Sequence, residues 1–160
     1  MRILIVYFTM SGRTKKMAEA IASSLTSHEV NFTRFELMGK ISEKFKIRAK
    51  LDKGDYSMIQ SELDSLASRV FDLLIIGMPT YGNLPPSVFK KIVEVLGNLT
   101  GKNAVVFNTA RMTGNLALNK MEEKVNNAGA TIIEKKRFRG FFRLGTRDAT
   151  EFGRTINQQV

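Results

Sequence analysis

The chain predicts an α/β fold in one domain spanning residues 1–160: a five-stranded parallel sheet of order 2-1-3-4-5 with helices on both faces. Three observations predict it. Short β-branched and aromatic runs recur along the chain, apolar residues at helical spacing separate most of them, and the runs differ in polarity in a way that sorts the centre of a sheet from its edges.

The first run, Ile3 to Phe8, carries no charge, as a strand buried on both faces of a parallel sheet requires. Thr9, Met10, Ser11, Gly12, Arg13 and Thr14 follow, and then Met17, Ile21 and Leu25 repeat every four residues. The loop therefore ends at a helix N-terminus, where unpaired backbone N–H groups and the positive end of the helix dipole favour an anion. Thr9, Ser11 and Thr14 add hydroxyls, Gly12 permits close backbone approach or φ > 0, and Arg13 and Lys15 add positive charge. On this loop alone, Ser11 as a simple N-cap and Gly12 as a simple turn is an equal alternative. The nucleoside triphosphatase loop and the Gly-x-Gly-x-x-Gly fingerprint are both absent.

The second strand is expected from Val30 to Leu37, just after His28, the single histidine, which a polar stretch assigns to a surface turn rather than to catalysis. Lys40 to Lys53 then holds six basic and two acidic residues around Ile41, Phe45, Ile47 and Leu51. It reads as a solvated connection, long enough to suggest a lid or a docking surface.

Strand three, Phe71 to Gly77, opens into GMPTYGNLPP, Gly77 to Pro86, with Tyr81 as its most exposed residue. An aromatic face there is placed either to pack or to stack on a flat ligand. Pro86 is expected at the first helical position, before Val88, Phe89, Ile92, Val93 and Leu96, with Gly97 as the stop. Strand four, Ala104 to Thr109, runs into the polar loop NTARMTGN, Asn108 to Asn115. A helix marked by Leu118, Met121 and Val125 ends before Gly129. Strand five is Ala130 to Phe138, and a last helix runs from about Ala149 to Gln158 with Thr146 or Asp148 near its cap.

Strands one, three and four are nearly all apolar, whereas strands two and five carry Asn31, Thr33, Arg34, Glu134, Lys135 and Lys136. The polar pair should be the edges, which is what the order 2-1-3-4-5 requires, and in that order ligands bind beyond the carboxyl ends of strands one and three.

With 160 residues, 43% of them hydrophobic, the chain can bury a substantial core. No apolar run approaches the roughly 20 residues of a membrane span. Met1 and Arg2 lead straight into a strand without a signal-peptide cleavage site, so a cytoplasmic protein is expected. Cysteine is absent, which excludes thiolate catalysis and cysteine-ligated metal and leaves redox work to a non-covalent organic cofactor. RFRGFFR, Arg137 to Arg143, interleaves arginine with phenylalanine as single-strand nucleic-acid binders do. Its place after an edge strand, where the phenylalanines can pack under the last helix, argues against nucleic acid as a partner.

TMSGRT is similar to the flavodoxin family's phosphate loop, Ser/Thr-x-Thr-Gly-x-Thr, with Ser11 in place of a threonine. IIGMPTYGNLPP resembles the second flavin loop of that family, NTARMTGN resembles the third, and RDATEFGRTI is similar to the closing helix. The chain thus resembles a flavodoxin-like three-layer sandwich along nearly its whole length, in the short form without a long insertion in strand five. The resemblance implies FMN, with Thr9, Met10, Ser11, Gly12, Arg13 and Thr14 on its phosphate. Pro79, Thr80, Tyr81, Gly82 and Asn83 would flank one side of the isoalloxazine, and Thr109, Ala110, Arg111, Met112, Gly114 and Asn115 would enclose the other edge. It also implies a Gly82–Asn83 peptide at flavin N5, able to turn its carbonyl toward the N5 proton of the half-reduced state. The flavin carries the chemistry, and no catalytic acid, base or metal is implied.

The function implied is a carrier moving electrons one at a time between redox partner proteins. The alternative is a small FMN-dependent oxidoreductase of the NAD(P)H:quinone or protoporphyrinogen type, and a third reading is a flavin-free binding module. The chain departs from electron-transfer flavodoxins in its net charge of +10, where such proteins are typically acidic. Partners with acidic docking surfaces, or anionic small molecules and membranes, are then favoured. Arg111 and Met112 stand where relatives often carry a glycine or an aromatic, and a charge at Arg111 near the pyrimidine would raise the flavin potential.

Overall fold

The computed structural model of the protein describes residues 1–160. The elements in order are β1 (Arg2–Thr9), α1 (Arg13–Ala22), β2 (Glu29–Glu36), α2 (Ile41–Asp52), a 3₁₀ turn (Ser57–Ile59), α3 (Gln60–Ala67), β3 (Leu73–Pro79), α4 (Val88–Leu96), β4 (Asn103–Ala110), α5 (Asn115–Asn127), β5 (Thr131–Arg139) and α6 (Arg147–Gln159). All neighbouring strands pair in parallel, in the expected order β2-β1-β3-β4-β5.

Side chains alternate across a strand, so each central strand feeds two cores. Ile3, Ile5 and Tyr7 of β1 pack with Met17 and Ile21 of α1 and with Phe152 and Ile156 of α6. Leu4, Val6 and Phe8 face the opposite layer, with Leu63 and Leu66 of α3, Phe89 and Ile92 of α4, and Met121 and Val125 of α5. Gly77 in β3 is fixed by packing: a Cβ there would overlap the Phe107 ring of β4. These parallel strands end together, so the loops after β1, β3 and β4 share one rim.

Several expectations are corrected. All five strands lie one or two residues from the expected limits. Lys40 to Lys53 is no open connection but holds α2, which starts where the Lys40 backbone N–H donates to Glu43 Oε2 at 2.7 Å. Pro86 lies outside α4, because Ser87 is the N-cap and Val88 the first helical residue. The N-cap of α1 is Gly12, at φ +85°, and not Ser11. Of the phenylalanines in RFRGFFR only Phe138 is buried; Phe141 and Phe142 stand out in solvent. His28 does sit in a turn, half-buried and with both ring nitrogens unpaired.

Candidate functional site

The rim of the sheet holds a cavity of about 610 Å³, within the range of small-molecule and cofactor sites. It is lined by Met10, Ser11 and Arg13 from the first loop, by Pro79 to Asn83 from the second, and by Thr109 to Thr113 from the third. Phe45 and Arg48 of α2 complete the wall. No acidic residue lines it.

The first loop is built around its backbone. Thr9 Oγ1 accepts from the Gly12 N–H at 2.9 Å, and the first intrahelical bond runs from Lys16 N–H to Gly12 C=O at 3.0 Å. The N–H groups of Ser11, Arg13, Thr14 and Lys15 donate to no protein acceptor, which leaves a ring of amides at a helix N-terminus. The side chains are deployed otherwise than their types suggested. Thr14 is buried and its hydroxyl pairs with Thr109 Oγ1 at 2.9 Å. Arg13 donates to the carbonyls of Ala110, at 3.3 Å, and Gly140, bolting the loop to β4 and to the end of β5. Burial and the nearby Arg111 lower its pKa from the ordinary value. Lys15 pairs with Glu36 at 3.1 Å. Burial alone would raise the Glu36 carboxyl, but hydrogen bonds from Tyr7 and Lys15 outweigh it and hold the carboxyl below its ordinary value. Tyr7 is pushed well up, first by burial and then by its bond to Glu36. Ser11 is the one exposed hydroxyl of the three, and it has no protein partner.

The second loop is a two-residue turn. Tyr81 and Leu84 exchange backbone bonds at 2.8 and 3.1 Å around Gly82 and Asn83, and Gly82 takes φ +62° at the first central position, where turns of this length need positive φ. The third loop is tied to it twice, by Thr80 N–H to Thr109 C=O at 2.9 Å and by Thr113 Oγ1 to Asn83 Oδ1 at 3.1 Å. Asn108, fully buried at the end of β4, donates to Thr80 Oγ1 at 3.0 Å and to Gly114 C=O at 2.8 Å. One amide therefore sets both loops. Gly114 and Asn115 begin α5 behind the wall and, like Thr9, Gly12 and Thr14, do not line the cavity.

Tyr81 is not the open platform its position suggested. It is half-buried, its hydroxyl finds no partner, and the Arg48 guanidinium covers its ring at 3.7 Å from the centroid. Burial pushes the phenol up to about 12, with Arg48 acting in the opposite direction. Phe45 and Arg48 are lining residues that motif reasoning did not assign to the site, and the role of Asn108 in fixing the two loops was likewise not foreseen. Asn108 and Thr113 stood inside a motif already singled out, and Phe45 and Arg48 lie in Lys40 to Lys53, whose length suggested a lid or a docking surface without marking either residue.

The residues present fit an elongated ligand with a phosphate at one end: unpaired amides at α1, the Tyr81 hydroxyl without a protein partner, and a cationic wall. Solved structures with this fold include oxidised flavodoxin 2 from Bacillus cereus, 24% identical over the whole of both chains with a TM-score of 0.67. A flavodoxin from Streptococcus pneumoniae is 16% identical over both whole chains with a TM-score of 0.68. A flavoprotein from Lactobacillus acidophilus, solved in complex with FMN, is 21% identical over 85% of this chain and 92% of its own, with a TM-score of 0.58. No curated protein matches the chain. Residues 1–138 match the model of the family described as NADPH-dependent FMN reductase. The chain belongs to that flavodoxin-like, FMN-binding family.

Proposed function

We propose that the protein is an FMN-dependent oxidoreductase that takes its electrons from NADPH. The observation that carries the proposal is the charge of the cavity: Arg13, Arg48 and Arg111 line it and no carboxylate does, so an anionic reductant is favoured at the mouth as well as a phosphate at the base. FMN, when bound, supplies one- and two-electron chemistry. The amides of Ser11, Arg13, Thr14 and Lys15 would hold its phosphate, and Asn83 and Tyr81 would border its ring. Phe45 and Arg48 would limit solvent access from the α2 side.

Direct electron transfer to an acidic protein partner, without a substrate of the protein's own, is the second reading. The exposure of Gly82, Asn83 and Met112 on the rim favours it, because a flavin edge bound beside them would be open to another protein.

The test is anaerobic mixing of the FMN-loaded protein with NADPH, followed by loss of oxidised flavin absorbance. Rapid bleaching with multiple turnovers in the presence of a quinone supports the reductase. Bleaching by dithionite but not by NADPH supports the carrier. Failure to take up FMN at all would reject both.

A further inference from the structure

Lys135 to Arg147 contains six basic residues, three phenylalanines and no acidic residue. Its tip is the connection between β5 and α6, and both ends of that connection are pinned. The Gly140 N–H donates to Ala110 C=O at 3.0 Å while the Gly140 carbonyl accepts from Arg13. Four residues on, Lys16 Nζ donates to Leu144 C=O at 2.8 Å, and the Leu144 side chain is buried. Only Phe141, Phe142 and Arg143 are left outside these anchors. The two rings meet edge to face, 4.9 Å between centroids, yet Phe141 is 56% and Phe142 89% exposed. The two rings thus stand outside the core, on a loop anchored at both ends.

We infer that this loop is a peripheral docking site for an anionic phospholipid surface. Phenylalanine belongs at the boundary between headgroups and acyl chains, and clustered Arg and Lys are drawn to anionic lipid. Arg139, Arg143 and Arg147 flank the pair in sequence, and Arg13 and Lys16 lie at its base. Guanidinium groups bind phosphate through paired N–H donors. Shape separates a lipid surface from a protein partner. A stable protein interface needs about 800 Å² from each side, whereas two aromatic side chains, partly covered already, supply less than roughly 300–500 Å². A convex tip of two rings suits a fluid surface that deforms around it. The tip lies on the same rim as the cavity, so docking would bring the cavity mouth close to the lipid. The inference does not depend on the redox assignment, since it rests on residues outside the cavity apart from Arg13.

The experiment is co-sedimentation of the full chain with vesicles of phosphatidylcholine, with and without phosphatidylglycerol. Binding is expected only where phosphatidylglycerol is present, and it should weaken as salt rises. The double variant Phe141→Ser with Phe142→Ser should lower the partition coefficient roughly tenfold or more. Its FMN uptake should match that of the original chain, showing that the fold is retained. The protein has no tryptophan, so Phe142→Trp provides a single reporter whose emission should shift to the blue on phosphatidylglycerol vesicles. No binding to either vesicle overturns the inference. So does binding that the double variant leaves unchanged, since charge alone would then account for it. Phe-dependent capture of an acidic protein without any vesicle binding would assign the loop to a protein partner instead.

Discussion

The guanidinium of Arg48 lies 3.7 Å from the ring centroid of Tyr81, so a residue of α2 covers the aromatic at the centre of the second loop. The same helix reaches the first loop through Lys44, which donates to Met10 C=O at 2.9 Å, and the start of α4 through Asp52, which accepts from Ser87 Oγ at 2.5 Å. Leu51 is its only buried residue. The helix is therefore held over the cavity mostly by polar contacts rather than by an apolar face, and its attachment can be tested one contact at a time.

Replacing Arg48 by Ala should cost about 1 kcal/mol of stability, the range of a partly desolvated cation–π contact. For a chain of this length that is a fall of roughly 3 °C in Tm. Arg48→Lys should recover only part of it, because an ammonium cannot stack flat on the ring. Thermal unfolding followed by circular dichroism checks both, and an unchanged Tm in Arg48→Ala would show that the contact contributes nothing.

The sheet was legible because its central strands are short and almost purely apolar, and the two polar strands could only be edges. The helix over the site was not legible, and the reason is geometric. Ile41 and Phe45 form one i, i+4 pair and Ile47 and Leu51 another, but the second pair is offset from the first by six residues, which at about 100° per residue sets the two pairs roughly 120° apart. Ile41 and Phe45 are in fact exposed. Without a single apolar stripe the segment looked like a basic connection, and Phe45 and Arg48 were lost with it. The loops were found as motifs, but which hydroxyl faced a ligand depended on partners nearly a hundred residues away: Thr14 turns toward Thr109, a pairing no local pattern encodes.

The Arg2–Asp72 pair gives a pH prediction. Asp72 accepts from the Arg2 guanidinium at 3.0 Å and from its backbone N–H at 2.8 Å, which lowers its pKa from 3.8 to about 2. A depressed carboxyl contributes stability that is present above its unfolded pKa and is lost as pH falls through the folded one. The contribution should therefore fade between pH 3.8 and about 2. Carboxyl carbon NMR should place the Asp72 midpoint near the lower end in the original chain and move it upward in Arg2→Ala. An ordinary midpoint in the original chain would remove the pair from the account.

Gly82→Ala separates backbone strain from crowding. Nothing lies within 4 Å of a Cβ built there, so the cost comes from φ +62° alone. A non-glycine residue in that region costs about 1 kcal/mol, and the Gly82–Asn83 peptide should lose freedom to reorient beside a bound flavin. The two one-electron potentials of the FMN-loaded protein should move closer together in an anaerobic titration. Unaltered potentials would mean that this peptide does not respond to the flavin's redox state.

Ser11 and Thr14 should part company when each is cut back to Ala. The Ser11 hydroxyl is exposed and has no protein partner, so Ser11→Ala should leave unfolding unchanged. Its loss should still weaken FMN binding roughly tenfold, the equivalent of one hydrogen bond to a charged group. Thr14→Ala should instead leave the buried Thr109 hydroxyl unpaired and destabilise the fold by about 1–2 kcal/mol. Its effect on FMN should be the smaller, because the amide of residue 14 remains in place. Flavin fluorescence quenching gives the affinities and urea unfolding the stabilities. If Ser11→Ala lowers stability while FMN affinity holds, the exposed hydroxyl is a structural group and the phosphate is held by the amides alone.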